Sequence, residues 1–261
     1  MLGAIINDIV GSVYEANPIK TMDLPLFHPA ATFTDDTVCT LAVADCLVTG
    51  GDFAQYLRGY VRSFPDRGYG QMFLEWAFAD GAPAYGSWGN GAAMRVAPIA
   101  YAADTFDAAI DLARRSASVS HDHPEAIKGA QAVVTGVFMA LSGESAPTIR
   151  HQIGDRFKYD LSPSVDAIRP TYSFDVSCQG TVPQAIICAF DAENFEDALR
   201  NAISLGGDAD TLACIAGGLA EVLYGIPNHI AQEGKYRLLP ELREVLQHFN
   251  NKFGRQRPIS D

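Results

Sequence analysis

Apolar residues along the chain recur at helical rather than alternating spacing, and strand signals are sparse. The pattern predicts helices over residues 37–48, 53–63, 106–118, 126–141, 182–190, 195–204, 210–224 and 239–249. Gly50-Gly51 supplies the stop for the first of these. Many of the segments carry Ala or Gly on both faces, which suits buried, closely packed helices better than surface amphipaths. Three stretches look irregular: 17–33, 65–90 and 155–180. Loops that long are uncommon in a compact domain unless they serve a function. The expected architecture is all-α and compact, one domain over residues 1–261 with a frayed polar tail after about residue 253.

Composition narrows the class. The 261 residues are 48% hydrophobic and 19% charged, as in ordinary globular proteins. No apolar run reaches the roughly 18–20 residues of a membrane helix. The first residues, Met1 to Asp8, lack the basic flank of a signal peptide, so a cytoplasmic location is expected. The five cysteines form no Cys-x-x-Cys pair and lie in apolar stretches. They read as buried thiols rather than as disulfides or zinc ligands. A formal net charge of −12 argues against general nucleic-acid binding.

The acidic residues matter where they cluster. Phe33-Thr34-Asp35-Asp36-Thr37 and Gly206-Gly207-Asp208-Ala209-Asp210-Thr211 each precede an apolar helix and bring two carboxylates and hydroxyls to its start. Capping uses one side chain per helix, leaving carboxylate oxygens over. Such oxygens suit a hard cation, Mg²⁺ or Mn²⁺. Capping and dipole complementation would explain either motif alone; two matching motifs weaken that explanation. The glycines before Asp208 would permit close approach to a ligand. Glu15, after an apolar run, is either a surface residue at a helix end or a member of the same site.

Two further segments stand out. Gly86-Ser87-Trp88-Gly89-Asn90-Gly91 is a glycine-rich loop running into a helical stretch. Free backbone N–H groups there could hold phosphate, and Trp88 could stack on a base; a tight turn with a core Trp is the plainer alternative. His121-Asp122-His123-Pro124-Glu125, with histidines at alternating positions, is a metal-ligand pair, a capping turn, or a phosphate or ribose contact, the last two favoured over transition-metal ligation.

Taken together and in this order, these segments resemble the ADP-ribosylglycohydrolase family, which includes dinitrogenase reductase-activating glycohydrolase and the vertebrate ADP-ribosylhydrolases. The resemblance runs from Gly3 to about Pro227, and Thr181-Val182-Pro183 matches a further block. It implies an orthogonal helical bundle, and cleavage of the bond between C1″ of ADP-ribose and an acceptor with the help of two Mg²⁺ or Mn²⁺ ions. The implied metal ligands are Thr34, Asp35, Asp36, Asp208, Asp210 and Thr211. The implied proton-handling carboxylate is Glu15 or one of the ligand Asp residues, Asp36 and Asp208 among them. Gly86, Ser87, Trp88, Gly89 and Asn90 resemble the loop that holds diphosphate and adenosine, and His121 falls at a ligand-contacting position. The implied partner is an ADP-ribosylated protein or another ADP-ribose conjugate, with ADP-ribose as product. Asn7 departs from the Gly of the family's opening Gly-Asp pair, with packing beside the site as the expected consequence.

Overall fold

The computed structural model describes residues 1–254. The expected tail beyond about residue 253 lies, Gly254 apart, outside them. Regular structure among the described residues is helical, with a single isolated bridge between Gly89 and Ser177. Among the described residues no helix is long and apolar enough to cross a membrane. All five cysteines are free and buried, as their apolar surroundings predict.

Helices α1 (Leu2–Gly11) and α13 (Ala209–Tyr224) form the centre, and nearly every residue of both is buried. They run antiparallel and touch along two glycine contacts. A Cβ on Gly3 would stand 2.3 Å from the Gly217 carbonyl oxygen, and one on Gly11 2.6 Å from Asp210 Cα. A side chain at any of these positions would push the axes apart. The C-terminal end of α1 therefore lies directly against the N-terminal end of α13. Asn7 packs its amide against Gly217, and both of its polar side-chain atoms are buried without a partner. The departure at Asn7 thus falls on the α1–α13 seam.

Helix α2 (Asp35–Thr49) brings its N-terminus to the same place. Around this trio pack α8 (Pro124–Leu141), α11 (Cys178–Phe190) and α12 (Phe195–Ser204). Side-chain caps define many of the helix starts: Asp52, Thr105, Ser145 and Asn194 each accept from a backbone N–H within the first turn.

Three expectations need correction. The stretch 65–90 is not wholly irregular, because α4 (Gln71–Phe78) buries Phe73, Trp76 and Ala77 there. The stretch 155–180 contains α10 (Val165–Ile168) and the first turn of α11. Helix α9 (Ala146–Phe157) was absent from the periodicity reading, although it has a Ser145 cap, Pro147 in its first turn and buried Ile149, Ile153 and Phe157 on one face. Its mean polarity hid that narrow stripe.

Candidate metal centre and ligand cavity

The three buried helix ends place five carboxylates around one spot. Asp8 comes from the last turn of α1, Asp35 and Asp36 from the start of α2, and Asp208 and Asp210 from the start of α13. Asp8, Asp36, Asp208 and Asp210 are all buried. Oxygens of Asp8, Asp36 and Asp210 lie within 4.8 Å of one another, and so do those of Glu15, Asp208 and Asp210. Asp210 belongs to both groups.

Capping does not use these acids up. Thr34 caps α2, its Oγ1 accepting from the Asp36 N–H at 3.3 Å. At the start of α13 the Asp208 side chain makes no cap hydrogen bond. Asp36 Oδ2 accepts from Thr211 Oγ1 at 3.2 Å, while Asp36 Oδ1 is buried with no partner. An unpaired oxygen at that depth costs free energy unless something binds it. Asn90 Nδ2 donates to Asp208 Oδ2 at 2.6 Å and to Thr181 Oγ1 at 3.1 Å, which fixes one side of the Asp208 carboxylate.

Asp8 escaped the sequence reading, because a lone Asp inside an apolar run carries no signal in its own surroundings. It is the most fully bonded acid of the cluster. Oδ2 accepts from the N–H groups of Thr34 and Thr37 and from Thr37 Oγ1; Oδ1 accepts from Thr34 Oγ1. It ties the end of α1 to the start of α2. The Gly-Asp pair discussed for Asn7 was the available signal.

Burial and mutual repulsion push these acids towards protonation. Asp8 rises to about 7, mainly through burial and then the Asp210 charge. Glu15, exposed at the rim, also rises to about 7, through partial burial and the charges of Asp210 and Asp8. Asp35, Asp36 and Asp210 are raised well above the usual carboxylate range, each first by burial. A cluster of acids that oppose one another's ionisation is the electrostatic counterpart of a cation site.

The carboxylates line one side of a cavity of about 400 Å³. Glu15, Asp35, Asp36, Asp208, Asp210 and Thr211 all face it, and Ser87, Gly89, Asn90 and His121 share the lining with them. Thr34 sits behind, bonded to Asp8 and to Asp36. Tyr85, Phe73, Met72 and Val176 supply apolar wall.

Gly86 and Trp88 do not line this cavity. Trp88 is 53% exposed, edge-on to His123 at 5.7 Å, so the core-Trp alternative is excluded. The loop's N–H groups are also less free than its glycines suggested. Gly86 N donates to Asp122 Oδ1, Gly89 N to Ser87 Oγ and Asn90 N to the Val176 carbonyl. Likewise Gly206 and Gly207 make room for protein rather than ligand. Gly206, at φ +64°, faces the Ile19 carbonyl, and Gly207 abuts the Tyr172 ring. Of the two histidines, His123 is the capping one, its Nδ1 accepting from the Glu125 N–H. His121 is buried in the cavity wall.

Known proteins resemble this chain over most of its length. The profile of the ADP-ribosylglycohydrolase family matches residues 1–258. The chain is 29% identical to ADP-ribosylarginine hydrolase Tri1 of Pseudomonas putida (strain GB-1), over 87% of this chain and 70% of that one. It is 27% identical to human ADP-ribosylhydrolase ARH3, over 87% of this chain and 84% of the relative. A solved structure described as an ADP-ribosylglycohydrolase-related protein complex superposes with a TM-score of 0.73 at 24% identity, covering 97% of both chains, which establishes the shared fold. With the profile match spanning nearly its whole length, this all-α chain belongs to the ADP-ribosylglycohydrolase family.

Proposed function

We propose that the protein is a divalent-metal-dependent ADP-ribosylhydrolase that cleaves the glycosidic bond between C1″ of ADP-ribose and an acceptor, a modified protein side chain. The observation that carries this reading is the buried, unpartnered Asp36 Oδ1 among carboxylates lining a ligand-sized cavity. The donors there are hard oxygens with no thiol or imidazole among the grouped ligands, a set that fits Mg²⁺ or Mn²⁺ and not Zn²⁺. Asp36, with Asp8 or Thr34 behind it, would hold one ion, and Asp208 with Glu15 or Thr211 the other. Asp210, common to both groups, would be within reach of either ion. Two such cations supply Lewis acidity, polarising ribose hydroxyls and lowering the pKa of water at the site.

The chain's own residues do the rest. Asn90 holds Asp208 in one orientation, and the Asp8 network holds the start of α2, so the acids are preorganised before ligand arrives. Glu15 is the carboxyl of the cluster at the solvent rim, and so the one placed to exchange a proton with the leaving group or with water. Ser87, Gly89 and His121 line the same cavity as the acids, and the diphosphate and adenosine would lie along them.

The test is release of ADP-ribose from arginine-linked, serine-linked and nucleic-acid-linked conjugates, with Mg²⁺, with Mn²⁺ and with chelator. Release from a protein-linked conjugate, lost on chelation, is expected. Full activity in metal-free protein would overturn the metal assignment. Cleavage of the nucleic-acid conjugate alone would move the acceptor class, and binding of ADP-ribose with no cleavage would make the chain an inactive relative.

A further inference from the structure

In the cavity wall lies a buried arginine with no carboxylate partner. Arg95 is 0% exposed, and its Nε and Nη1 have no hydrogen-bond partner. Its remaining nitrogen, Nη2, donates to the Ser116 carbonyl at 2.7 Å and to Ser120 Oγ at 3.0 Å. Ser120 Oγ in turn lies 2.8 Å from His121 Nδ1. Both Ser120 and His121 are buried.

Proton bookkeeping along this line has one solution that gives the buried Ser120 hydroxyl proton an acceptor. A guanidinium only donates, so Ser120 Oγ must accept from Arg95. The serine then has one proton to give, and its other partner is His121 Nδ1. A protonated Nδ1 would also donate to Ser120 Oγ and strand the buried hydroxyl proton, so Nδ1 is the bare, accepting nitrogen and the ring proton sits on Nε2. Burial, and then the nearby Arg95 charge, hold the His121 pKa well below its ordinary value, so the ring stays neutral. Nε2 faces the turn at Gly89 and Gly91, where Cβ atoms would come within 3.5 Å and 3.2 Å of it. The rings of Phe73 and Tyr85, with centroids 5.7 Å and 5.5 Å away, flank the imidazole.

We propose that Arg95 and Ser120 are positioning residues that lock His121 in its neutral Nε2–H tautomer, so that it meets ligand as a hydrogen-bond donor. Its ligand is then an oxygen acceptor, a phosphate or a ribose oxygen. A base, an acid or a metal ligand at Nε2 is excluded, because the first and last need that nitrogen bare and the second needs a charged ring. The tautomer stands on the geometry alone; the identity of the acceptor rests on the ADP-ribose reading above.

Nitrogen NMR of histidine-labelled protein tests the two parts separately. The free protein should show a pyridine-type shift at His121 Nδ1 and a pyrrole-type shift at Nε2, unchanged between pH 5.5 and 8. Ser120→Ala removes one buried hydroxyl and should release Nδ1, so that both shifts move toward a tautomer average. Added ADP-ribose should shift Nε2 in the wild type, and its affinity should fall about 3- to 10-fold in Ser120→Ala, the range of one ordinary hydrogen bond. His121→Gln, whose amide N–H stands near Nε2, should recover more affinity than His121→Ala. A pyrrole-type Nδ1 or a charged ring at neutral pH would overturn the lock, as would shifts that Ser120→Ala leaves in place. A correct tautomer with no response to ADP-ribose would instead overturn the ligand reading.

Discussion

Asp8 and Asp36 lie in one acidic cluster yet are held in opposite ways. Asp8 accepts from two backbone N–H groups and two hydroxyls, whereas Asp36 leaves Oδ1 buried and unpaired. Removing Asp36 takes away repulsion and a cation ligand; removing Asp8 strands donors at the start of α2. Asp36→Ala should therefore lower turnover by at least about 100-fold, beyond the usual loss for an outer-shell residue, while metal-free protein melts no lower than wild type. Asp8→Ala should lose turnover and also about 2–4 kcal/mol of stability, the cost of buried donors left unmade. Melting curves in chelator beside turnover in Mg²⁺ separate the two; equal melting of both variants would contradict this division. Trp88, 53% exposed, carries little packing, so Trp88→Ala should leave the melting temperature nearly unchanged. If it reaches over bound adenine, calorimetry should show ADP-ribose affinity falling by about 1–3 kcal/mol, as for base stacking on an aromatic. Unchanged affinity would remove it from the site, in keeping with its place outside the cavity lining.

Among the helices, the α1–α13 seam sets the spacing of the acids. A Cβ on Gly217 would stand 2.4 Å from both Asn7 Nδ2 and the Gly3 carbonyl oxygen. Helix propensity alone favours alanine over glycine by about 0.8–1 kcal/mol. Overpacking costs about 1–3 kcal/mol, and a clash with backbone oxygen belongs at the upper end. The net expectation for Gly217→Ala is a loss of about 2 kcal/mol, or roughly 4–8 °C in melting temperature. Since α1 carries Asp8 and α13 carries Asp208 and Asp210, the same change should weaken Mg²⁺ binding by titration calorimetry. A variant that melts higher, with Mg²⁺ affinity intact, would show that the seam has slack.

For the molecule as a whole, the buried acids make stability depend on pH and metal together. Asp8 and Glu15 rise to about 7 in the fold, against ordinary values near 3.9 and 4.3. The folded state thus holds protons that the unfolded chain has released between about pH 4 and 7. Stability of metal-free protein is therefore fully present below that window and falls as pH rises through it. Asp35, Asp36 and Asp210, shifted the same way, extend the fall upward. Cations must displace these protons, so their stabilisation grows with pH. Melting in chelator should drop from pH 5 to pH 8, and Mg²⁺ should raise the melting temperature more at pH 8 than at pH 5. A metal-free melting temperature that climbs over this range would mean the acids are ionised without a cation.

Helix starts such as Phe53, Phe106 and Phe195 were legible because a cap and a periodic apolar face are local properties of a dozen residues. The same held for Asp35, Asp36, Asp208 and Asp210, whose motifs sit at helix starts. Asp8 was legible only through the family's Gly-Asp pair; judged by its neighbours alone it resembles any polar residue in an apolar run until α2 folds onto it. The turning of Gly206 and Gly207 toward Ile19 and Tyr172, the occupation of the loop N–H groups and the line from Arg95 to His121 were not legible. By itself the sequence determined the strongly periodic helices, though not α4, α9 or α10, and which of their ends are acidic, because neighbouring residues decide propensity, capping and amphipathicity. Tertiary structure alone decided which ends meet, which oxygen stays unpaired and which histidine nitrogen keeps its proton, because those depend on atoms from segments tens to hundreds of residues apart.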